Sequence, residues 1–207
     1  MAYAVVNWCS WIGFHFASYL LNKGETVIGI GFAKTKEQAY LEMFFGRNTN
    51  FHLEERLETT RNLEAIFDVG ELQNEKIYLN LEAKYCLLGI NEKEKNVPDI
   101  VIHTPLLVGE WMPMAEKGVR TDHGLVAFDS EEFHQALPID ALVPCLLQWL
   151  YAADLPEEFQ IFHRSAKHQT GDEQQNVYII NTPSHKTLKK DLLKHYHAHP
   201  DYYLSSF

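Results

Sequence analysis

The stretch Ala4-Val5-Val6-Asn7-Trp8-Cys9-Ser10-Trp11-Ile12-Gly13-Phe14-His15 constrains the fold more than any other part of this chain. An apolar, β-branched run enters a turn of small and polar residues, and an amphipathic segment leaves it. Ile12, Phe16, Tyr19 and Leu20 recur at helical spacing, and Lys23-Gly24 supplies a C-terminal charge and a helix-ending glycine. Thr26 to Ile30 is a second β-branched run, as expected of the next parallel strand. Thr35 with Gln38 forms a capping-box pattern that opens a helix through Ala39, Leu41, Met43 and Phe44 to Gly46. Phe51 to Leu57 is a third, more charged strand. The order β-α-β-α-β predicts a parallel sheet with right-handed crossovers.

The middle is less regular. Leu63 to Phe67 is ambiguous, while Ile77, Leu81, Tyr85 and Leu88 give a helical stripe closed by Gly89. A strand follows at Ile100 to His103, and Gly109, Trp111 and Pro113 mark the segment to Met114 as a loop shaping a cleft. The last third reads as a smaller lobe. It has a short strand at Leu125 to Phe128 and a buried helix at Ala141 to Tyr151 with Pro144 in its first turn. Strands follow at Phe159 to Phe162 and Val177 to Ile180. Ser184 then caps a final helix, Leu188 to Tyr196, whose cationic end suits its dipole.

A chain of 207 residues accommodates one domain with a small appended lobe. The formal net charge of −10 argues against nucleic acid, which is held by clustered Lys and Arg. No apolar run approaches the roughly 20 residues that span a bilayer, and no membrane partner is expected. The N-terminus lacks a basic region followed by an apolar core, so no secretory signal is expected. Cys9, Cys86 and Cys145 are three in number, each beside apolar residues, which predicts reduced thiols and a cytoplasmic setting.

Three collinear regions resemble the extended short-chain dehydrogenase/reductase family, which includes nucleotide-sugar epimerases and dehydratases. Asn7 to His15, with Leu20-Leu21-Asn22-Lys23-Gly24 and Val27-Ile28-Gly29-Ile30, is similar to that family's first strand, phosphate turn, helix and second strand. Ile100 to Gly109 is similar to its later strand and substrate-pocket loop. Ala136 to Ala152, and Tyr178-Ile179-Ile180-Asn181 into Leu188-Lys189-Lys190, are similar to its C-terminal substrate lobe. The resemblance implies an α/β fold: a Rossmann-like, mostly parallel sheet with a small C-terminal lobe, shortened in the middle. It divides the chain into a dinucleotide-binding-type domain, 1–115, and a substrate-lobe-like region, 116–207, in one compact unit.

The departures bear on function. The family's three turn glycines correspond to Asn7, Ser10 and Gly13, which serve a tight turn, close approach of pyrophosphate and close helix–strand packing respectively. Asn7 suits a left-handed backbone and Gly13 keeps the packing, whereas Ser10 puts a Cβ and hydroxyl where phosphates come closest. Trp11 matches an aromatic position of the family, and Trp8 adds bulk that fills a vacated site. Asn7, Ser10, Trp11, Ile12 and Gly13 are therefore the candidate, degenerate cofactor-binding set. Gly31 stands where an acid normally holds the ribose. Lys34 and Lys36 are compatible with a 2′-phosphate or with a solvated helix start, and Arg56 or Leu57 replaces an adenine-contacting aspartate.

The family's catalytic Tyr-x-x-x-Lys is best matched at Tyr78, but position 82 is Glu, which raises a phenol's pKa instead of lowering it. The strand carrying the family's catalytic Ser/Thr is expected to be absent. No catalytic or metal-binding residue is assigned. His195, His197 and His199 are read as a cationic helix end, Cys9 as a buried thiol, and His163, His168 and His185 as surface or pocket-edge residues. Two readings follow. One is a pseudoenzyme that acts as a binding or interaction protein, a homodimer with an unknown small molecule or protein partner and no cofactor. The other is an active NAD- or NADP-dependent epimerase, dehydratase or reductase with an atypical site.

Overall fold

A computed structural model describes residues 1–57, 62–69, 84–88, 100–152, 156–163, 176–180 and 182–204. In chain order, its elements begin with β1 (Ala2–Val6), α1 (Trp11–Asn22), β2 (Thr26–Ile30), α2 (Lys36–Glu42) and β3 (Phe51–Glu54). Next come β4 (Ala65–Asp68), β5 (Lys84–Leu88), β6 (Ile100–His103), β7 (Leu107–Val108), β8 (Met114–Ala115), β9 (Gly118–Thr121) and β10 (Gly124–Ala127). The chain ends with α3 (Glu131–His134), β11 (Leu137–Pro138), α4 (Ile139–Trp149), β12 (Glu158–His163), β13 (Asn176–Ile179), α5 (His185–Ala198) and α6 (Pro200–Leu204).

Eight strands form one parallel sheet in the order β13-β12-β6-β5-β4-β1-β2-β3. The strand order reverses direction between β1 and β4, and that switch point is where such sheets hold ligands. A β8–β9–β10 antiparallel meander and a β7–β11 pair stand beside the sheet. The main sheet takes β12 and β13 from beyond residue 115, so strands on both sides of that position share one ladder.

Local signals account for the first elements. The Ser10 hydroxyl caps α1, and Thr35 with Gln38 forms the full capping box of α2. At the other end of α1, Lys23 N–H closes onto the Tyr19 and Leu20 carbonyls. Helix α1 buries Phe14, Phe16, Ala17 and Leu20 against the sheet, and α4 packs beside it on the same face. Each such large apolar side chain contributes roughly 1.5–3 kcal/mol. Ala4, Val6, Ile28, Ile30, Leu57, Leu63 and Ile66 form a smaller cluster on the opposite face.

Several expectations are corrected. Lys84–Leu88 is a strand, so Tyr85 and Leu88 do not continue a helix; Ile77 and Leu81 lie outside the described residues. The sheet also keeps two strands, β4 and β5, between β3 and β6, so the strand expected to be absent is present and the shortening falls on connections. Only residues 89–99 link β5 to its parallel neighbour β6, less than the dozen or more that a crossover usually takes. Tyr78 and Glu82 lie outside the described residues, and their numbers place them between β4 and β5. Helix α4 begins at Ile139, so Pro144 sits in its interior and not in its first turn. The third strand stops at Glu54, short of the expected Leu57.

Candidate functional site

The chain leaves β1 at the switch point through Asn7, whose φ of 55° is the left-handed conformation that the turn requires. Ser10 N–H donates to the Asn7 carbonyl at 2.9 Å and closes the turn. The Ser10 hydroxyl accepts from Gly13 N–H at 3.0 Å, so one first-turn donor of α1 is taken by the chain itself. Gly13 is fixed by close approach: a Cβ there would meet the Asn7 carbonyl oxygen and the Trp8 backbone. Ile12 is half-buried against the core, and Trp11 is half-buried beside the crevice.

Trp8 does not enter that crevice. Its ring is wholly buried, packs edge-on against Phe51 with centroids 4.9 Å apart and leans on Phe45. Its indole N–H donates to the Gly31 carbonyl at 3.0 Å. A Cβ on Gly29 would collide with the same indole, so β2 carries glycine where Trp8 lies across it. Gly31 itself has a φ of 99°, a conformation that side chains rarely adopt. Of the other positions weighed, Lys34 and Lys36 are exposed at the start of α2, Arg56 is exposed, and Leu57 is buried in the smaller core cluster.

A cavity of about 340 Å³ opens beside this turn. Cys9, Ser10 and Trp11 form one wall and Thr35, Glu37 and Gln38 another; Trp111, Pro113, Met114, Arg120, Tyr202 and Tyr203 complete it. Much of its polar lining is engaged: Ser10, Thr35 and Gln38 side chains cap the two helices. The Cys9 thiol is pushed up by burial, which removes the thiolate that a helix N-terminus would favour.

The C-terminal segment adds Tyr202 and Tyr203 to this lining. Trp111, at φ 64°, donates its N–H to the Tyr203 hydroxyl at 3.0 Å, and the Tyr202 hydroxyl donates to the Trp111 carbonyl at 2.8 Å. His195 Nδ1 lies 2.8 Å from the same Tyr203 oxygen. The indole of Trp111 is ringed by His195, His199, Tyr202, Tyr40 and Phe44, with centroids between 4.2 and 5.5 Å away. Burial and the neighbouring His199 and His15 push the His195 pKa down to about 4. Its buried Nε2 has no hydrogen-bond partner, and Glu110 Oε2 stands 3.7 Å away. On the other flank His15 places Nε2 3.1 Å from the Glu110 carbonyl and Nδ1 3.0 Å from Asp140, whose carboxyl is held below its ordinary value chiefly by that hydrogen bond.

The cationic-end reading of the last histidines therefore fails for His195, which is a buried imidazole in an aromatic cluster. His163 is also buried, not superficial; its Nε2 lies 2.6 Å from the Thr182 hydroxyl, while His168 lies outside the described residues. Among the described residues no group of three or more His, Cys, Asp or Glu converges as a metal-binding set. None of the described helices is long and apolar enough to cross a membrane. Sequence reasoning missed Tyr202, Tyr203 and Asp68. Asp68 is buried at the end of β4, next to Val6 across the switch point. An acid closing the apolar run Ala65-Ile66-Phe67 was the available signal.

No protein-family model matches the sequence, and no curated protein matches it either. Solved structures do match. A dTDP-glucose 4,6-dehydratase from Bacillus anthracis, determined in complex with NAD, superposes with a TM-score of 0.65 at 11% identity, covering 99% of each chain. Pal from Bacillus thuringiensis superposes with a TM-score of 0.53 at 10% identity over 77% of each chain. At these identities the likeness establishes a Rossmann-like α/β fold, as the resemblance implied, and leaves the chemistry to the site itself.

Proposed function

We propose that this chain is a non-catalytic binding protein on a Rossmann-like frame, holding a small molecule in the aromatic cavity and not a nicotinamide dinucleotide. One observation carries the reading: neither place where such a frame grips a dinucleotide keeps the groups that usually hold it. The Ser10 hydroxyl takes the Gly13 N–H at the phosphate end, and the Trp8 indole lies against a Gly31 that has no carboxylate for the ribose. The residues present do not fit a dinucleotide held in the usual way. The cavity, at about 340 Å³, is at the small end of ligand sites, and Trp11, Trp111, Tyr202 and Tyr203 give it an aromatic part beside polar groups. Free thiols at Cys9 and Cys145 support a reducing, cytoplasmic setting.

The second reading, an active NAD(P)-dependent epimerase, dehydratase or reductase, draws on one feature: the cavity adjoins the N-terminus of α1, where dinucleotide phosphates sit in this fold. Titration calorimetry with oxidised and reduced forms of both nicotinamide dinucleotides separates the two. The expected result is no binding up to millimolar concentration, and micromolar affinity for any of the four overturns the proposal. The homodimer expected from the sequence belongs to the same reading, and sedimentation equilibrium checks it.

A further inference from the structure

We propose that the segment from His195 to Tyr203 is an in-chain lid over the cavity, latched to Trp111 and able to open without unfolding the sheet. The inference rests on the cavity being the binding site, and concerns how that site is reached. Three observations support it. First, Tyr202 and Tyr203 line the cavity together with Ser10 and Trp11, so their departure opens it. Second, the polar latch of the lid is identifiable: Trp111 N–H to the Tyr203 hydroxyl, the Tyr202 hydroxyl to the Trp111 carbonyl, and His195 against Tyr203, beside the ring packing of Tyr202, His195 and His199 on Trp111. Third, Trp111 is held at φ 64°, a conformation a bulky residue keeps only while its surroundings impose it. Opening the latch frees Trp111 to return to ordinary backbone geometry, so strain in the closed state favours release. Helix α6 is short, and its displacement breaks no strand pairing of the sheet.

Cys9 reports on the lid, because it lines the cavity and is only 3% exposed. The test is site-resolved alkylation of the native protein by iodoacetamide at alkaline pH, read by peptide mass spectrometry, with Cys145 on α4 as internal control. The double variant Tyr202→Phe, Tyr203→Phe keeps the ring packing and removes both hydroxyl latches. It is expected to raise the Cys9 rate at least about tenfold, since each lost hydrogen bond favours the open state, with the Cys145 rate unchanged. Tyr203→Phe alone, which removes the bond to Trp111 N–H and keeps every ring, is expected to raise it in the same direction by less. An unchanged Cys9 rate in both variants overturns the lid. So does a parallel rise at Cys9 and Cys145, which means general loosening. Dinucleotide binding by the wild type would instead overturn the proposed function and leave the alkylation result standing.

Discussion

The indole N–H of Trp8 donates to the carbonyl of Gly31 at 3.0 Å, joining the turn after β1 to the end of β2. In a dinucleotide-binding frame an acid at the end of the second strand holds the ribose; here that position is Gly31, whose carbonyl is bonded to a buried indole outside the crevice. Restoring an acid at Gly31 therefore does not restore a ribose clamp. Gly31→Asp has room for a Cβ but must adopt φ 99°, at a cost of about 1–2 kcal/mol. The expected result is a lower Tm and no gain in NAD affinity. A gain in affinity at unchanged Tm, measured by calorimetry and thermal denaturation, would refute this account.

Ser10 contributes as a helix cap. Ser10→Ala loses the bond to Gly13 N–H and is expected to cost about 1 kcal/mol, whereas Ser10→Gly, also without the hydroxyl, costs only a few tenths. Urea denaturation gives the ranking. If the alanine variant is no less stable than the glycine one, the hydroxyl has another role.

Gly13→Ala is expected to be the most damaging change in the turn. Its methyl group would meet the Asn7 carbonyl and the Trp8 backbone, and neither is the yielding end of a flexible side chain. Overpacking of this kind costs about 1–3 kcal/mol or more. Soluble expression with an unchanged denaturation midpoint would show that α1 and the turn are not packed this closely.

How much of this was legible in the sequence depends on the range of the contacts involved. Helix α2 was readable because Thr35 and Gln38 stand three residues apart and satisfy each other's backbone. Asn7 and Gly13 were readable because backbone conformation and close approach restrict residue type locally. Strand β5 was not, because a strand buried in a parallel sheet is a plain apolar run, and Tyr85 and Leu88 fall at a spacing that also suits a helix. The direction of the Trp8 ring was misjudged, since Gly29, Phe45 and Phe51, which receive it, come from later in the chain. The lid was invisible for the same reason: Trp111 and Tyr203 are 92 residues apart, and nothing local to either announces the other.

Acid is expected to weaken the protein through His195. The Tyr203 oxygen accepts from Trp111 N–H and lies 2.8 Å from His195 Nδ1, where burial favours the neutral imidazole. The folded-state pKa, about 4, lies below the ordinary 6.5, so the unfolded chain binds more protons over that interval. Stability is thus fully present above about pH 6.5 and falls as the pH is lowered towards 4, by a total of about 1–3 kcal/mol. His163 and His185, also lowered by burial, add to the loss in the same direction. His195→Asn keeps a polar atom near the Tyr203 hydroxyl without a titrating ring, so it is expected to flatten the curve between pH 6.5 and 4 while leaving the share from the other two. Denaturation midpoints measured across that range decide the matter, and a slope identical to wild type would mean that His195 is not a neutral, buried imidazole in the folded chain.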